Sequence, residues 1–183
     1  MSLRFETERL ILRPFEMRDA EHFAAYRSDL AIARYQYWHP PLPLADAIRF
    51  VKTMQALQPG TPGEWYQIAI QPRHLNHLVG DCAFCVLSED VRQAEFGITL
   101  AGEYQKQGYA GEAIARLFRY LFSDLNLHRV RAICHVDNHP SARLLERLGM
   151  RREAHFIDYY WFKDRWVSEY WYGLLRSEWE SSL

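Results

Sequence analysis

Gln105-Lys106-Gln107-Gly108-Tyr109-Ala110-Gly111 opens the strongest helical pattern in the chain, in which Ala110, Ala113, Ile114, Leu117, Phe118, Leu121, Phe122 and Leu125 recur at steps of three and four. Glu112 and Arg116 are placed on that helix as an exposed ion pair. Ahead of it Ala94 to Leu100 reads as a strand, and behind it Arg129-Val130-Arg131-Ala132-Ile133-Cys134-His135-Val136 alternates as another. Strand, helix, strand is a crossover whose two strands pair in parallel. Gly108 and Gly111 also let the backbone come close to a ligand, and the helix start directs free N–H groups and a positive dipole end outward. A phosphate or pyrophosphate is the expected guest, and a plain helix start after a turn is the alternative. No Gly-Lys-Ser/Thr follows and G-x-G-x-x-G is absent, so the segment is neither a P-loop nor a dinucleotide fingerprint.

Working outward, Trp65 to Ile70 and Leu78 to Leu87 precede Ala94 to Leu100 as a meander of antiparallel strands. A helix with Ala47, Ile48, Val51 and Met54 on one side runs from Leu44 to about Leu57. Before it, Tyr35-Gln36-Tyr37-Trp38-His39-Pro40-Pro41-Leu42-Pro43 is a stiff aromatic loop, because its prolines remove donors and force extended geometry. Leu10 to Phe15 reads as a strand and Asp19 to Tyr26 as a helix. Downstream, Asn138-His139-Pro140-Ser141 starts a second helix with Leu144, Leu145 and Leu148 inward, and Gly149 stops it. Phe156 to Phe162 and Trp166 to Leu175 form an aromatic hairpin around Lys163-Asp164-Arg165. With no linker or repeat, residues 1–183 make one α/β domain with a mixed sheet.

The 183 residues are 49% hydrophobic and 25% charged with a formal net charge of -1, an ordinary globular balance. Near-zero charge argues against a partner gripped through many phosphates, so no nucleic acid is expected. No window approaches the ~18 consecutive apolar residues of a membrane span, and charges stand where a signal peptide needs an apolar stretch. Cys82, Cys85 and Cys134 are an odd number without framework spacing, which points to the cytoplasm. Cys82-x-x-Cys85 lies on a strand where positions three apart face opposite ways and has no second ligand pair, so neither zinc nor redox function is expected. The aromatic content of 15% exceeds what a core of this size needs.

Taken together these segments resemble the GNAT superfamily of acyl-CoA-dependent N-acetyltransferases, and more closely its branch that includes ribosomal-protein alanine acetyltransferases. The superfamily motif Gln/Arg-x-x-Gly-x-Gly/Ala is matched by Gln105-x-x-Gly108-x-Ala110. Four further matches follow in order: Glu6-Thr7-Glu8-Arg9-Leu10-Ile11-Leu12-Arg13-Pro14-Phe15, then Ala94-Glu95-Phe96-Gly97-Ile98, then Asn138-x-x-Ser141 with Leu148-Gly149-Met150, and the C-terminal hairpin. The resemblance covers essentially the whole chain. It implies a mostly antiparallel central sheet flanked by helices, with a splayed strand pair forming an acetyl-CoA cleft.

By the same resemblance, the backbone of Phe96, Gly97, Ile98, Thr99 and Leu100 would pair with the pantetheine arm, as an extended amide chain adds to a sheet edge. Gln105, Lys106, Gln107, Gly108, Tyr109, Ala110 and Gly111 would cradle the pyrophosphate, with Lys106 helping to neutralise it. Asn138 would contact the pantetheine or cap its helix. Arg143, with Arg147, Arg151 and Arg152, would meet a 3′-phosphate or form a solvated face. Tyr37, Trp38 and Tyr160 would wall the acceptor side of the cleft, giving the aromatic excess a place.

Transfer to an amine needs a free nitrogen, an acyl carbon within reach and a proton for the departing thiolate. Glu95, sharing a strand face with Gly97 and Thr99, is the candidate base or a solvated carboxylate. Family members often carry a tyrosine seven positions after the asparagine, but here Leu145 stands there, which leaves Ser141 as the candidate acid or a helix cap. His135 is an alternative base or a structural histidine. The expected activity is acetyl-CoA-dependent N-acetylation of a primary amine, on a small molecule or a protein N-terminus, by direct transfer in a ternary complex without metal. A catalytically weak acyl-CoA-binding module on the same fold is the alternative. The hairpin offers apolar surface that a homodimer would bury.

Overall fold

The computed structural model describes residues 3–182. Period-two alternation in the first half of the chain folds as a meander. Strands β1 (Phe5–Glu6), β2 (Leu10–Arg13), β3 (Tyr66–Pro72), β4 (Gly80–Val86) and β5 (Gln93–Leu100) pair antiparallel in chain order. Helices α1 (Ala20–Arg27), α2 (Leu30–Ala33) and α3 (Leu44–Ala56) lie between β2 and β3. The crossover helix α4 (Tyr109–Arg119) returns the chain to β6 (Arg129–His135), parallel to β5. After α5 (His139–Arg147), the hairpin of β7 (Arg151–Phe162) and β8 (Arg165–Leu175) docks by its second strand, and α6 (Arg176–Glu180) follows. The strand order is β1-β2-β3-β4-β5-β6-β8-β7, the mixed, mostly antiparallel sheet expected from the sequence. Lys163 and Asp164, at φ 46° and 65°, make the two-residue hairpin turn.

Alternation sorts the side chains onto two faces. Phe84, Phe96, Val130, Ala132, Cys134 and Tyr172 are buried under Ala113, Ile114, Leu117 and Phe118 of α4 in the larger core. Phe15, Phe23, Tyr26, Ala47, Val51 and Ala69 fill the opposite side beneath α1 and α3. Arg13, 1% exposed, is held there by Asp19 at 2.7 Å and by Gln71. Gly80 has no room for a side chain, since a Cβ would meet the Thr99 carbonyl oxygen at 2.2 Å. β4 and β5 are thereby pressed together along their full length.

The parallel pairing is short. β5 and β6 meet only at Gln93–Arg129, Ala94–Val130 and Glu95–Arg131. Beyond that rung β5 stays with β4 as far as Leu100–Gly80, while β6 stays with β8 as far as His135–Glu169. The sheet therefore forks, as expected, and the β6-facing backbone edge of Phe96 to Leu100 lacks a strand partner.

Three features differ from the reading of the sequence. Glu112 does not pair with Arg116. It turns to the N-terminal segment, where it binds Thr7 and Arg9, while Arg116 lies over the Phe5 ring at 4.0 Å. The helical pattern past Arg119 continues as a π-helical turn, Tyr120–Asp124, which keeps Leu121 and Phe122 inward. β7 starts five residues before Phe156, carrying the paired arginines Arg151 and Arg152.

Candidate active site

The open end of the fork is framed by the turn between β5 and α4. Gly108 has φ +85°, the left-handed conformation that glycine adopts without strain, and Lys106 sits at φ 61°. The first bond into α4 is Glu112 N–H to the Gly108 carbonyl at 3.2 Å, so the N–H groups of Tyr109, Ala110 and Gly111 have no intrahelical acceptor. The side chains of Gln105 and Gln107 turn back to shape the loop, donating to the carbonyls of Leu100 at 3.0 Å and Glu103 at 2.8 Å. A Cβ on Gly97 or Gly111 would meet nothing within 4 Å, so open space lies beside both the forked strand and the helix start. A strand edge, a ring of free N–H groups and exposed Lys106 together fit an extended amide chain that ends in a pyrophosphate.

Arg9 braces this turn. Its Nη1 donates to the Gln107 carbonyl at 2.9 Å, its Nε to Glu112 at 2.7 Å, and its guanidinium lies over the Tyr109 ring at 4.9 Å. Burial pushes the Glu112 carboxyl up, but hydrogen bonds from Thr7 and Arg9 outweigh it and leave the group below its ordinary range. Sequence reading missed Arg9 as a site residue. Its only signal was membership of the family-like opening segment.

On β6 and α5 the expected residues gather at one end. Asn138 Oδ1 accepts the Ser141 N–H at 3.3 Å, which is the capping role. Burial raises the thiol of nearby Cys134 to about 11, with Ser141 pulling it partly back down. Leu145 is 3% exposed within the larger core, so the usual tyrosine position holds packing material. Arg151 and Arg152 are not available to a phosphate. The first binds Glu153 at 2.7 Å and the second Glu146 at 2.7 Å. Arg143 and Arg147 are exposed and, among the described residues, make no ion pair.

The face beneath α1 and α3 carries the polar groups. Glu95, on the last rung of the fork, receives Arg131 Nε at 2.9 Å. A cavity of about 260 Å³ beside it is lined by Trp65, Cys85, Ser88, Glu89, Glu95 and Arg131 among others. Thr99, 9% exposed on the same face, is the register partner of Asp81, which holds Arg27 at 3.1 Å. Further along β6, His135 Nδ1 accepts the Asp137 N–H at 3.2 Å. That assigns the ring proton to Nε2, which is buried without a partner. Burial lowers the His135 pKa, and its Nδ1 is occupied by the Asp137 N–H.

Opposite His135 stands Glu169, 5% exposed, which sequence reading did not single out. Burial raises its carboxyl, and the charge of Glu95 raises it further, against hydrogen bonds from Trp171 and Tyr160. The tip of the hairpin leans over this face. Tyr37 lies 6.2 Å from Tyr160 and 5.8 Å from Phe162, ring to ring, and Lys163 Nζ donates to the Ala33 carbonyl. Tyr37 and Tyr160 thus converge. Trp38 does not join them: its Nε1 donates to the Arg27 carbonyl at 2.9 Å and its ring carries the Arg27 guanidinium at 3.8 Å, so it anchors the loop.

The sequence matches the family described as the acetyltransferase (GNAT) domain over residues 9–151. An uncharacterized N-acetyltransferase, p20, of Bacillus licheniformis is 30% identical over 172 residues, which cover 94% of this chain and 96% of that protein. The crystal structure of a GNAT-family acetyltransferase from Bacillus anthracis superposes with a TM-score of 0.83 at 30% identity, covering 96% of this chain and 99% of the other. A spermidine N-acetyltransferase from Vibrio cholerae, solved with CoA and spermine, has the same fold at a TM-score of 0.80 and 22% identity, covering 95% and 99%.

Proposed function

The chain belongs to the GNAT acetyltransferase family, and from that premise we propose that it acetylates a cationic primary amine directly from acetyl-CoA, with donor and acceptor bound together. The observation that carries this reading is the fork between β5 and β6. It leaves the edge of Phe96 to Leu100 unpaired beside open space at Gly97, and ends in the free N–H groups at Tyr109 to Gly111. The pantetheine would lie along that edge, the pyrophosphate at the turn near Lys106, and the 3′-phosphate within reach of exposed Arg143. Asn138 shapes the same end of the cleft by holding the start of α5.

Direct transfer agrees with the thiols. Burial raises Cys82, Cys85 and Cys134, so none is a ready thiolate for a covalent acetyl-enzyme. The departing CoA thiolate takes its proton from Ser141, in the first turn of α5 just after β6. Glu95, nominated as base by the sequence, is committed to Arg131. Its part in the proposal is to close the fork and add negative field. With Glu169 close enough to feel the Glu95 charge and Arg131 as the counter-charge of Glu95, the acceptor region favours an ammonium over an amine flanked by a carboxylate.

Purified protein, acetyl-CoA and a panel of diamines, peptides with free N-termini and amino acids test this by thiol release. Acceptor-dependent release that favours cationic amines over free amino acids is expected. Acetyl-CoA binding without release across the whole panel would favour the catalytically weak binding module instead.

A further inference from the structure

We propose that Glu169 is the catalytic group that takes the proton from the acceptor's ammonium. The assignment rests on the acetyltransferase reading above and goes beyond it by naming the proton acceptor. Its basis is an imbalance in the site. Glu169 is 5% exposed, yet among the described residues no arginine, lysine or histidine forms an ion pair with it. A buried carboxylate lacking a cation is costly unless a ligand supplies one. The other buried ion pairs in this half of the molecule are complete: Asp19 has Arg13 at 2.7 Å and Asp81 has Arg27 at 3.1 Å. Glu95, the other carboxylate facing the cleft, has Arg131 at 2.9 Å.

A second observation points to the same spot. His135 is the register partner of Glu169 across β6 and β8, it is 7% exposed, and its Nε2–H is buried without an acceptor. Two neighbouring buried polar groups, one an acceptor short of a cation and one a donor short of an acceptor, form a surface complementary to a ligand. The groups around Glu169 are Glu95 from β5, its register partner His135 from β6, Tyr160 from β7, Trp171 from β8 and Tyr37 from the aromatic loop. Arg131, on the same strand as His135, is already bound to Glu95. The Tyr37, Tyr160 and Trp171 rings give the cation an aromatic frame.

In the step, R–NH3+ gives one proton to the Glu169 carboxylate and becomes R–NH2. The nitrogen lone pair attacks the thioester carbonyl, the N–C bond forms and the C–S bond breaks. As CoA leaves, Ser141 passes its hydroxyl proton to the departing thiolate and takes the second proton from nitrogen, so that CoA departs as the thiol and the serine is restored. Glu169 then returns its proton to water, and the sum is amide, CoA-SH and one H+.

The test compares wild type, Glu169→Gln and Glu169→Asp in thiol release from pH 6 to pH 10, with acetyl-CoA binding measured separately by calorimetry. Glu169→Gln is expected to lower kcat/KM by about 100- to 10,000-fold near neutrality, the usual range for a lost general base. Acetyl-CoA affinity should stay within about twofold, since the side chain lies off the cofactor edge. The deficit should shrink as the pH approaches the acceptor's own pKa and free amine appears in solution, and Glu169→Asp should recover part of the rate. A Glu169→Gln enzyme as active as wild type, or one whose deficit is constant with pH, overturns the assignment. If wild type itself releases no thiol with any amine, the acetyltransferase reading falls and this assignment with it, whereas active wild type beside an unimpaired variant sinks Glu169 alone.

Discussion

Glu95 and Arg131 are bound at 2.9 Å on the last rung that joins β5 to β6, so the ion pair lies where the sheet begins to part. Both side chains are about a quarter exposed, at 21% and 27%, which limits the pair to about 1 kcal/mol of stability. Glu95→Gln is therefore expected to shift the melting temperature by only about 2–4 °C in a domain of this size. Its kcat/KM should fall far less than that of Glu169→Gln. A loss as large as that of Glu169→Gln, with the same pH-dependent recovery, would return the role of base to Glu95.

Two glycines on adjacent strands have opposite expected effects. Gly80→Ala drives a Cβ to 2.2 Å from the Thr99 carbonyl and 2.9 Å from the Leu100 Cα, both backbone atoms that cannot yield without moving β5. It should destabilise the protein by about 3 kcal/mol or more. Gly97→Ala meets nothing within 4 Å and should fold with unchanged or slightly raised stability. Because that open space is where the donor would lie, Gly97→Ala should instead weaken acetyl-CoA binding, measured by calorimetry. Unchanged acetyl-CoA affinity would place the pantetheine elsewhere.

The fold was legible because its signals are local and redundant. Ala110 to Leu125 and the meander carry clean periods, and Gly108 and Gly149 stand at left-handed positions as glycines there should. The backbone segments proposed to hold the donor stand out for the same reason, since Phe96 to Leu100 and Gln105 to Gly111 are each contiguous. What escaped was side-chain partnership across distance. Glu112 is four residues from Arg116, but Thr7 and Arg9 reach it from the far end of the chain, and helical spacing cannot register that competition. An aromatic loop marks Trp38 as wall material, but nothing local shows that its ring stacks on the Arg27 guanidinium, itself fixed by Asp81. Glu169 left one faint trace. It stands in phase with Val167 and Trp171, a single carboxylate on the inward side of a strand, and alternation alone marks such a residue as out of place.

Arg9 offers a test of the turn independent of the chemistry. It holds the Gln107 carbonyl at 2.9 Å and Glu112 at 2.7 Å without itself needing to touch a ligand. Arg9→Ala should loosen the turn and raise the KM for acetyl-CoA by roughly 10-fold, with kcat changed little, as expected for lost uniform binding. Arg9→Lys keeps the charge but not the fork of donors and should recover only part of the effect. A fall in kcat with unchanged KM would contradict a positioning role.

The charge of Glu169 also has a sign that thermal melts can read. Its folded carboxyl is raised above the ordinary glutamate range by burial and by Glu95. Below the unfolded pKa of about 4.3 both states are protonated and the residue is neutral in its effect. As pH rises past that value the unfolded chain ionises first, so the native state loses stability until pH passes the raised folded value, after which the loss is constant. Glu169→Gln removes the carboxyl and with it this loss. The variant should therefore melt higher than wild type at pH 7 to 8, with the gap closing toward pH 4 to 5, while its turnover is impaired. A variant less stable than wild type at every pH would mean that Glu169 is held by structural partners, and that its carboxylate is not kept for an incoming cation.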